Sequence, residues 1–356
     1  MKKRIGILTA GGDCPGLNAA IRGVVRASYH LFDAEIIGIR DGFRGLIEGD
    51  YHPMEESQFS NILTRGGTIL GTSRTPFSQM RGNADGTDRV AEMKKNYRAM
   101  RLDCLVTLGG NGTHKTANML SEEGLNVIGL PKTIDNDIYG TDYTFGFHTA
   151  VEIATDVIDR IHTTAASHGR CMVIELMGNK AGWLTLYAGV AGGADVILLP
   201  EIPYDINKVA EVVETRANLR KSFSIVAVAE GAMSQDEKNM KRKDREQART
   251  DSVYNSISHR IATQIEQMCG VETRTVVPGH IQRGGTPCAY DRVLSTEFGV
   301  HAAQLIRDDI YGVTVAVDGR KIIHNKLSDV AGVNKGVLID GPMVRSAMDI
   351  NVSFGI

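Results

Sequence analysis

The chain has 356 residues, of which 42% are hydrophobic and 23% charged, and its formal net charge is −2. This length can bury a sizeable core and predicts two lobes rather than one compact domain. A net charge so close to zero argues against nucleic acid or a membrane surface as partner, because both attract strongly basic proteins. Positive charge that serves function must therefore be concentrated locally.

The apolar stretch at the N-terminus ends at Gly11 and is therefore too short for the apolar region of a signal peptide. No apolar run in the sequence approaches the length of a membrane span. The five cysteines lack C-x-x-C spacing, as is typical of reduced thiols in the cytoplasm rather than of a disulfide framework or a zinc site. We expect each to be a small buried hydrophobic residue. They are Cys14, Cys104, Cys171, Cys269 and Cys288.

Short apolar runs alternate along the chain with segments of helical periodicity. The predicted strands are 4–10, 34–40, 104–110, 126–131, 171–177, 224–230 and 273–280. The predicted helices are 16–30, 113–123, 147–166, 180–193, 206–218, 254–268 and 291–306. Strands that are apolar throughout and alternate with helices predict an α/β fold with parallel sheets covered on both faces. Residues 233–252 are almost wholly polar and predict a solvated excursion on the surface.

Glycine-rich loops follow two of the predicted strands and precede helices, at residues 11–16 (GGDCPG) and 109–113 (GGNGT). Such loops let backbone N–H groups approach a phosphate, and the helix N-terminus adds partial positive charge. The first loop matches no standard nucleotide motif, and taken alone a tight turn explains it equally well. A third glycine-rich stretch, 66–74, ends in Arg74, which could neutralise phosphate charge. Three such loops together predict a polyphosphate site.

Residues 131–137 (PKTIDND) place two aspartates beside Lys132, directly after a predicted strand. A neighbouring carboxylate raises the pKa of an aspartate, whereas a lysine lowers it. One aspartate could accept a hydroxyl proton while the other holds substrate or metal-bound water. The alternative is a turn rich in Asn and Asp.

Arginines and a histidine gather around the last predicted strand, at Arg274, His280 and Arg283. Guanidinium groups bind phosphate oxygens in pairs, so this pattern indicates a pocket for a phosphomonoester. A lone histidine is more often structural, but its place between two arginines favours a ligand role. Arg170 is a further candidate, with a plain surface arginine as the alternative.

These motifs together resemble the 6-phosphofructokinases, in the branch that mixes ATP- and pyrophosphate-dependent members. The resemblance covers nearly the whole chain, at residues 11–23, 66–74, 109–113, 131–137, 175–178, 229–231 and 279–287. It implies phosphorylation of the 1-hydroxyl of fructose 6-phosphate, Mg²⁺ as cofactor, and a homotetramer or homodimer with shared active sites. It also implies two α/β lobes with the site in the cleft between them. The donor lobe would be 1–146 with 282–332, and the sugar-phosphate lobe 147–281 with 333–356.

The resemblance also implies roles for single residues, with Asp135 as the general base. The implied catalytic residues are Asp135, Thr133, Lys132 and Gly112. The implied donor-binding residues are Gly11, Arg74, Thr75, Gly110, Asn111, Gly112 and Thr113. The implied sugar-phosphate residues are Thr133, Asp135, Asp137, Arg170, Met177, Gly178, Asn179, Glu230, Arg274, His280 and Arg283. Of these, Arg170 and Arg274 would reach in from a neighbouring subunit.

Two of the chain's departures from the family pattern concern the implied active site. Asn111 stands where a carboxylate usually helps to hold Mg²⁺, so the metal site would be weak or water-mediated. Asn179 and Lys180 stand where many members have an arginine after Met-Gly.

Two positions bear on the choice between ATP and pyrophosphate as phosphoryl donor. Gly112 leaves room for the α-phosphate of a nucleotide and favours ATP, whereas Lys132 is typical of pyrophosphate users. Pyrophosphate therefore remains the alternative donor. From other classes, a phosphotransferase of the NAD-kinase or lipid-kinase type and a non-catalytic sugar-phosphate-binding protein also stay open.

Overall fold

The computed structural model describes residues 2–81, 88–219, 223–250, 253–254 and 256–356, with Arg242 described by its backbone alone. The strands are β1 (Lys3–Thr9), β2 (Ala34–Ile39), β3 (Tyr51–Met54), β4 (Cys104–Gly109), β5 (Val127–Pro131), β6 (Cys171–Leu176), β7 (Val196–Leu198), β8 (Ser224–Ala229), β9 (Thr273–Val276), β10 (Val313–Asp318) and β11 (Lys321–Lys326).

The α-helices alternate with these strands along most of the chain. They are α1 (Leu17–Leu31), α2 (Phe43–Glu48), α3 (Arg89–Ala99), α4 (Asn111–Glu122), α5 (Phe147–His168), α6 (Trp183–Ala191), α7 (Ile206–Asn218), α8 (Gln235–Asn239), α9 (Arg242–Thr250), α10 (Ile257–Cys269), α11 (Ala289–Arg307), α12 (Leu327–Val330) and α13 (Pro342–Asp349). Short 3₁₀ helices span Glu56–Phe59, Phe77–Gln79 and Gly279–Arg283.

The chain divides into two compact units. The first contains Met1–Thr149 and Arg283–Lys335, and the second contains Ala150–Gln282 and Gly336–Ile356. The sequence predicted a donor-binding lobe and a sugar-phosphate-binding lobe. The division into two units does not show what either unit binds, so both roles remain predictions.

The first unit is built on a seven-stranded sheet in the order β11-β10-β5-β4-β1-β2-β3. The five inner strands run parallel, and β3 and β11 close the edges antiparallel. The chain leaves β1 towards β2 on one side and later places β4 on the other side. Crevices that bind ligands form where the strand order reverses in this way. The carboxyl ends of β1 and β4, which both carry glycine-rich loops, flank that point.

Two glycines let helices α1 and α11 pack closely in this unit. A Cβ on Gly23 would lie 2.8 Å from the Thr296 carbonyl oxygen, and one on Gly299 would lie 2.5 Å from the Ala20 carbonyl oxygen. Both distances are shorter than any tolerated carbon–oxygen contact, so only glycine fits at either position. Substitution at either glycine would push apart a helix pair that begins next to the β1 loop.

The second unit contains a wholly parallel four-stranded sheet in the order β7-β8-β6-β9. Its strands β6 and β8 are buried almost throughout, and their side chains form a core with helices α7 and α10. Strand β8 lies on one side of β6 and strand β9 lies on the other. The loops after β6, β8 and β9 therefore share one edge of the sheet.

The predicted α/β class is confirmed, and each of the seven predicted strands is present, although β1 is shifted by one residue and β9 ends at Val276 instead of residue 280. The sequence pattern did not predict β3, β7, β10 or β11. Strand β7 has only three residues, and β11 is a half-exposed edge strand, so neither has a long apolar run. Among the described residues, no helix is long and apolar enough to cross a membrane.

Residues 233–250 are mostly exposed, in agreement with the predicted surface excursion, but they contain helices α8 and α9, and the side chain of Glu237 is buried. Residues 251–252 lie outside the described residues. The expectation of buried cysteines was too general as well, because Cys269 and Cys288 are only half-buried.

Candidate active site

The first and third glycine-rich loops are bonded to each other at the end of β1. Gly11 has a φ of +84°, a conformation that favours glycine. Its N–H donates to the Ser73 carbonyl at 3.0 Å, and its own carbonyl accepts from the Thr72 hydroxyl at 2.7 Å. The segment that carries Arg74 and the half-buried Thr75 is thereby fixed beside the β1 loop.

Three cationic side chains converge on this loop. A Cβ on Gly12 would lie 2.9 Å from Nη1 of Arg283 and 3.4 Å from Nη2 of Arg74, and a Cβ on Gly11 would lie 3.7 Å from Nζ of Lys132. Lys132 Nζ also donates to the Gly12 carbonyl, and Arg283 Nη1 donates to the Asp13 carbonyl at 3.4 Å. The missing glycine side chains admit these groups. Three cations around one loop favour binding of a polyanion.

Lys132 is the most buried of the three cations, with 3% of its surface exposed. Burial lowers the pKa of its ammonium group and the charge of Arg283 lowers it further, while Cys14, Asp13 and Asp135 act in the opposite direction. An anion bound at the loop would offset this cost of burial, because an opposite charge favours the ammonium form.

Helix α4 begins at the second glycine-rich loop, at the carboxyl end of β4. Its N-cap residue is Gly110, and no side chain caps the helix. The N–H groups of its first turn, which includes Asn111, Gly112 and Thr113, carry the partial positive charge of the helix N-terminus. A Cβ on Gly112 would meet no atom within 4 Å. The space at Gly112 is therefore open.

The side chain of His114 connects this loop to β10. The sequence did not indicate this role. Its Nδ1 lies 3.0 Å from the Gly110 carbonyl, and its Nε2 lies 2.9 Å from the Thr314 hydroxyl on β10. A carbonyl can only accept, so Nδ1 of His114 carries a proton and donates to Gly110. Only the spacing of four residues from Gly110 hints at this contact, because Thr314 is far away in the sequence.

We expect His114 to make stability depend on pH. Burial lowers its pKa from the usual 6.5 to about 4. Between these values the unfolded chain takes up a proton that the folded chain does not, so stability is complete above pH 6.5 and falls as the pH drops towards 4. The slope is at most about 1.4 kcal/mol per pH unit. Urea unfolding of wild type and His114→Asn measures it, because the amide can still bond to Gly110 but does not titrate. Equal pH dependence in both proteins would contradict the prediction.

The segment after β5 holds the predicted base in a fixed turn. The hydroxyl of Thr133 accepts from the N–H of Asp135 at 3.1 Å, and the hydroxyl of Thr144 donates to the Thr133 carbonyl at 2.7 Å. Asn136 has a φ of +50°, and its Oδ1 accepts from the N–H of Thr144 at 3.0 Å. The turn is thus anchored on both sides of Asp135.

Asn111, the residue predicted to help hold Mg²⁺, lies against Asp137 and Asn334. Nδ2 of Asn111 lies 3.1 Å from the carbonyl of Asp137, 3.2 Å from its Oδ2 and 3.3 Å from Oδ1 of Asn334. Its Oδ1 is buried without a hydrogen-bond partner in the described part of the chain. Among the residues that the structure describes, no group of three or more His, Cys, Asp or Glu is arranged as metal ligands. An orphaned amide oxygen beside one carboxylate fits an ion whose other ligands are phosphates and water.

In the second unit, the loops after β6 and β8 are joined to each other. The N–H of Gly231 donates to the Gly178 carbonyl at 3.1 Å, and the N–H of Glu230 donates to the Leu176 carbonyl at 2.9 Å. A Cβ on Gly231 would lie 2.0 Å from the Asn179 carbonyl oxygen, so this close approach requires glycine. Met177, Gly178, Asn179 and Glu230 therefore form one rigid group.

Gln282 connects this group to the segment that carries His280. Its side chain is completely buried. Its Oε1 accepts from the N–H of Met177 at 3.1 Å, and its Nε2 donates to the Gly279 carbonyl at 3.0 Å. The exposed His280 lies on the 3₁₀ helix that starts at Gly279. Gln282 was not predicted from the sequence, because a glutamine between two charged candidates carries no signal of its own.

Arg170 and Arg274 share one carboxylate, that of Glu272. Nη2 of Arg170 lies 2.9 Å from Oε1 of Glu272, and Arg274 pairs with the same oxygen. The two arginines that were expected to act together are therefore neighbours within the second unit. Arg283, by contrast, belongs to the first unit and lies at the Gly12 loop.

Glycine-rich loops, three cations and a pair of aspartates at the ends of parallel strands define the class of phosphoryl-transfer enzymes. The comparison with known families agrees with this class. The model of the phosphofructokinase family matches residues 4–306, and the chain belongs to that family.

Two curated relatives and one solved structure illustrate the similarity. An ATP-dependent 6-phosphofructokinase of Spirochaeta thermophila is 53% identical over 99% of this chain and 98% of its own length. A pyrophosphate–fructose 6-phosphate 1-phosphotransferase of Amycolatopsis methanolica is 46% identical over 94% of this chain and 96% of its own length. The T-state structure of Pichia pastoris phosphofructokinase matches with a TM-score of 0.81 at 29% identity, covering 99% of this chain. This chain spans 37% of that yeast chain.

Proposed function

We propose that the protein is an ATP-dependent 6-phosphofructokinase, which transfers a phosphoryl group to the 1-hydroxyl of fructose 6-phosphate in cytoplasmic glycolysis. The observation that carries the proposal is the convergence of Lys132 and Arg74 on the β1 loop. Such a group of cations suits a polyphosphate donor. The name of the Spirochaeta thermophila relative supports the choice of reaction.

In this proposal Asp135 accepts the proton of the 1-hydroxyl as the oxygen attacks the donor. Phosphoryl transfer needs little covalent help from a protein, so positioning and charge neutralisation supply most of the rate. The anchored turn at Thr133 supports the first role, since it fixes the Asp135 backbone. The cations at Gly12 support the second. Mg²⁺, held by Asn111 and Asp137 together with the donor phosphates, would neutralise charge on the transferred group.

The donor in this proposal is ATP, bound at Gly11, Arg74, Thr75 and residues 110–113. The open space at Gly112 supports ATP, because a nucleotide extends beyond its β-phosphate and pyrophosphate does not. Pyrophosphate is the second candidate, favoured by Lys132 and by the name of the Amycolatopsis methanolica relative.

The acceptor sugar would be held by Thr133, Asp137, Met177, Gly178, Asn179 and Glu230, and its 6-phosphate by His280, Arg283, Arg170 and Arg274. We include in the proposal a homotetramer or homodimer in which Arg170 and Arg274 serve a neighbouring site. The half-exposed guanidinium of Arg274 supports this, because it remains available to a second chain.

The test is turnover of fructose 6-phosphate with Mg²⁺ and with each donor separately. We expect fructose 1,6-bisphosphate with ATP and a lower kcat/KM with pyrophosphate. Sugar-phosphate binding without turnover on either donor would identify a non-catalytic binding protein and overturn the proposal.

A further inference from the structure

The polar stretch after β8 is tied into the second unit by one buried carboxylate. Glu237 on α8 has 5% of its surface exposed. Its carboxylate accepts from the N–H of Ser234 at 3.0 Å, while the Ser234 hydroxyl accepts from the N–H of Glu237 at 3.2 Å. This reciprocal capping starts helix α8 directly after the β8 loop. Glu237 therefore has a fixed position relative to that loop.

Two arginines from later helices bind the same carboxylate. Nε of Arg249 on α9 lies 2.9 Å from Oε1 of Glu237, and Arg260 on α10 donates to Oε1 at 3.1 Å and to Oε2 at 2.8 Å. Arg260 also donates to the hydroxyl of the buried Tyr204 at 3.2 Å. A buried carboxylate with several charged donors is held firmly, since loss of one donor leaves charge without compensation.

Arg249 reaches from this junction to the loop that carries Glu230. Its Nη2 donates to the carbonyl of Ala232, a buried residue, at 2.7 Å. Arg249, Glu230 and Asn179 line the same cavity of about 290 Å³. The guanidinium thus connects helix α9 to the turn at Glu230, although α9 is otherwise exposed.

We propose that Arg249 is a positioning residue for the acceptor sugar, acting through the Ala232 carbonyl and anchored by Glu237. The inference rests on the proposed function, because it uses Glu230 as a sugar-binding residue. Movement of Ala232 would displace Glu230, and through the Gly231–Gly178 bond it would also displace Met177 and Asn179. The polar stretch is therefore part of the sugar-binding half of the enzyme.

The first test compares the kinetics of Arg249→Ala with those of Lys243→Ala, an exposed residue of the same helix. We expect Arg249→Ala to raise the KM for fructose 6-phosphate about tenfold or more, as loss of a charged hydrogen bond does. The KM for the donor and the values for Lys243→Ala should stay at wild-type levels. If Arg249→Ala does not fold, Arg249→Lys replaces it, because lysine keeps the charge but cannot bridge Glu237 and Ala232 together. An unchanged sugar KM in the folded variant overturns the inference.

The second test uses trypsin and follows cleavage after Arg245 of α9, a site that the wild type and both variants retain. Coupling between two sites is reciprocal, so sugar phosphate should slow cleavage of α9 in the wild type. It should not do so in Arg249→Ala, whereas Lys243→Ala should behave as the wild type. Equal protection in wild type and Arg249→Ala overturns the inference. A wild type without turnover contradicts the proposed function instead, which separates the two failures.

Discussion

Replacement of Asp135 by asparagine is expected to lower kcat by about 10² to 10⁴-fold, the usual contribution of a positioned base. Asparagine has nearly the same shape as aspartate but cannot accept the hydroxyl proton. The N–H of residue 135 would still bond to the Thr133 hydroxyl, because that contact uses the backbone alone. Binding of fructose 6-phosphate should therefore change little.

The measurement combines kcat with the Kd for fructose 6-phosphate, determined by calorimetry. Asp142→Asn is the matched control, since its carboxylate lies at an exposed turn and accepts from the N–H of Gly319. We expect this control to keep the wild-type kcat. A residual kcat above about a tenth of the wild-type value in Asp135→Asn would exclude Asp135 as the base, given the usual size of the effect.

The sequence predicted the central strands because each is buried on both faces and therefore apolar throughout. β4 is such a strand, with all six residues buried. The edge strands were not predicted, because they are not buried on both faces and lack a continuous apolar run. β11 (Lys321–Lys326) has only exposed and half-buried residues, and its place in the sheet comes from pairing with β10. Such pairing stabilises a strand through contacts that local composition does not contain.

The glycine-rich loops at the ends of β1 and β4 were predictable because their glycines stand between an apolar run and a helical pattern. The residues that support those loops were not. His114 depends on Thr314, and Gln282 depends on Met177, so each pair is separated by a large stretch of sequence. A single histidine or glutamine has many structural uses, and only the fold determines which one applies.

The sequence did not predict that Glu237, within the polar stretch 233–252, is buried, and the reason is physical. Charged residues are usually exposed, and the composition of the stretch gives no sign that one carboxylate is paired. The ion pairs with Arg249 and Arg260 offset the free-energy cost of burying the carboxylate of Glu237. Because those arginines lie on two later helices, the network becomes visible only in the folded chain.

The choice of donor leads to a second large expected effect, that of Gly112→Asp. Gly112 is the second residue of α4, and a Cβ there meets no atom within 4 Å. Aspartate near a helix N-terminus is favourable, so the variant should fold as well as the wild type. The new carboxylate would face the α-phosphate of a nucleotide. Like charges about 4 Å apart repel by ~1 kcal/mol in bulk water, and more where solvent is excluded.

Pyrophosphate has no α-phosphate and should escape that repulsion, while Lys132 is already present at the loop to neutralise it. We therefore expect the wild type to prefer ATP and Gly112→Asp to shift the ratio of kcat/KM values towards pyrophosphate by about tenfold or more, since 1.4 kcal/mol corresponds to tenfold. Both donors are measured at saturating fructose 6-phosphate and fixed free Mg²⁺. Gly112→Ala is the control that adds bulk without charge. A wild-type preference for pyrophosphate would refute the ATP assignment, whereas an unchanged ratio in Gly112→Asp would refute only the repulsion that we expect from the carboxylate.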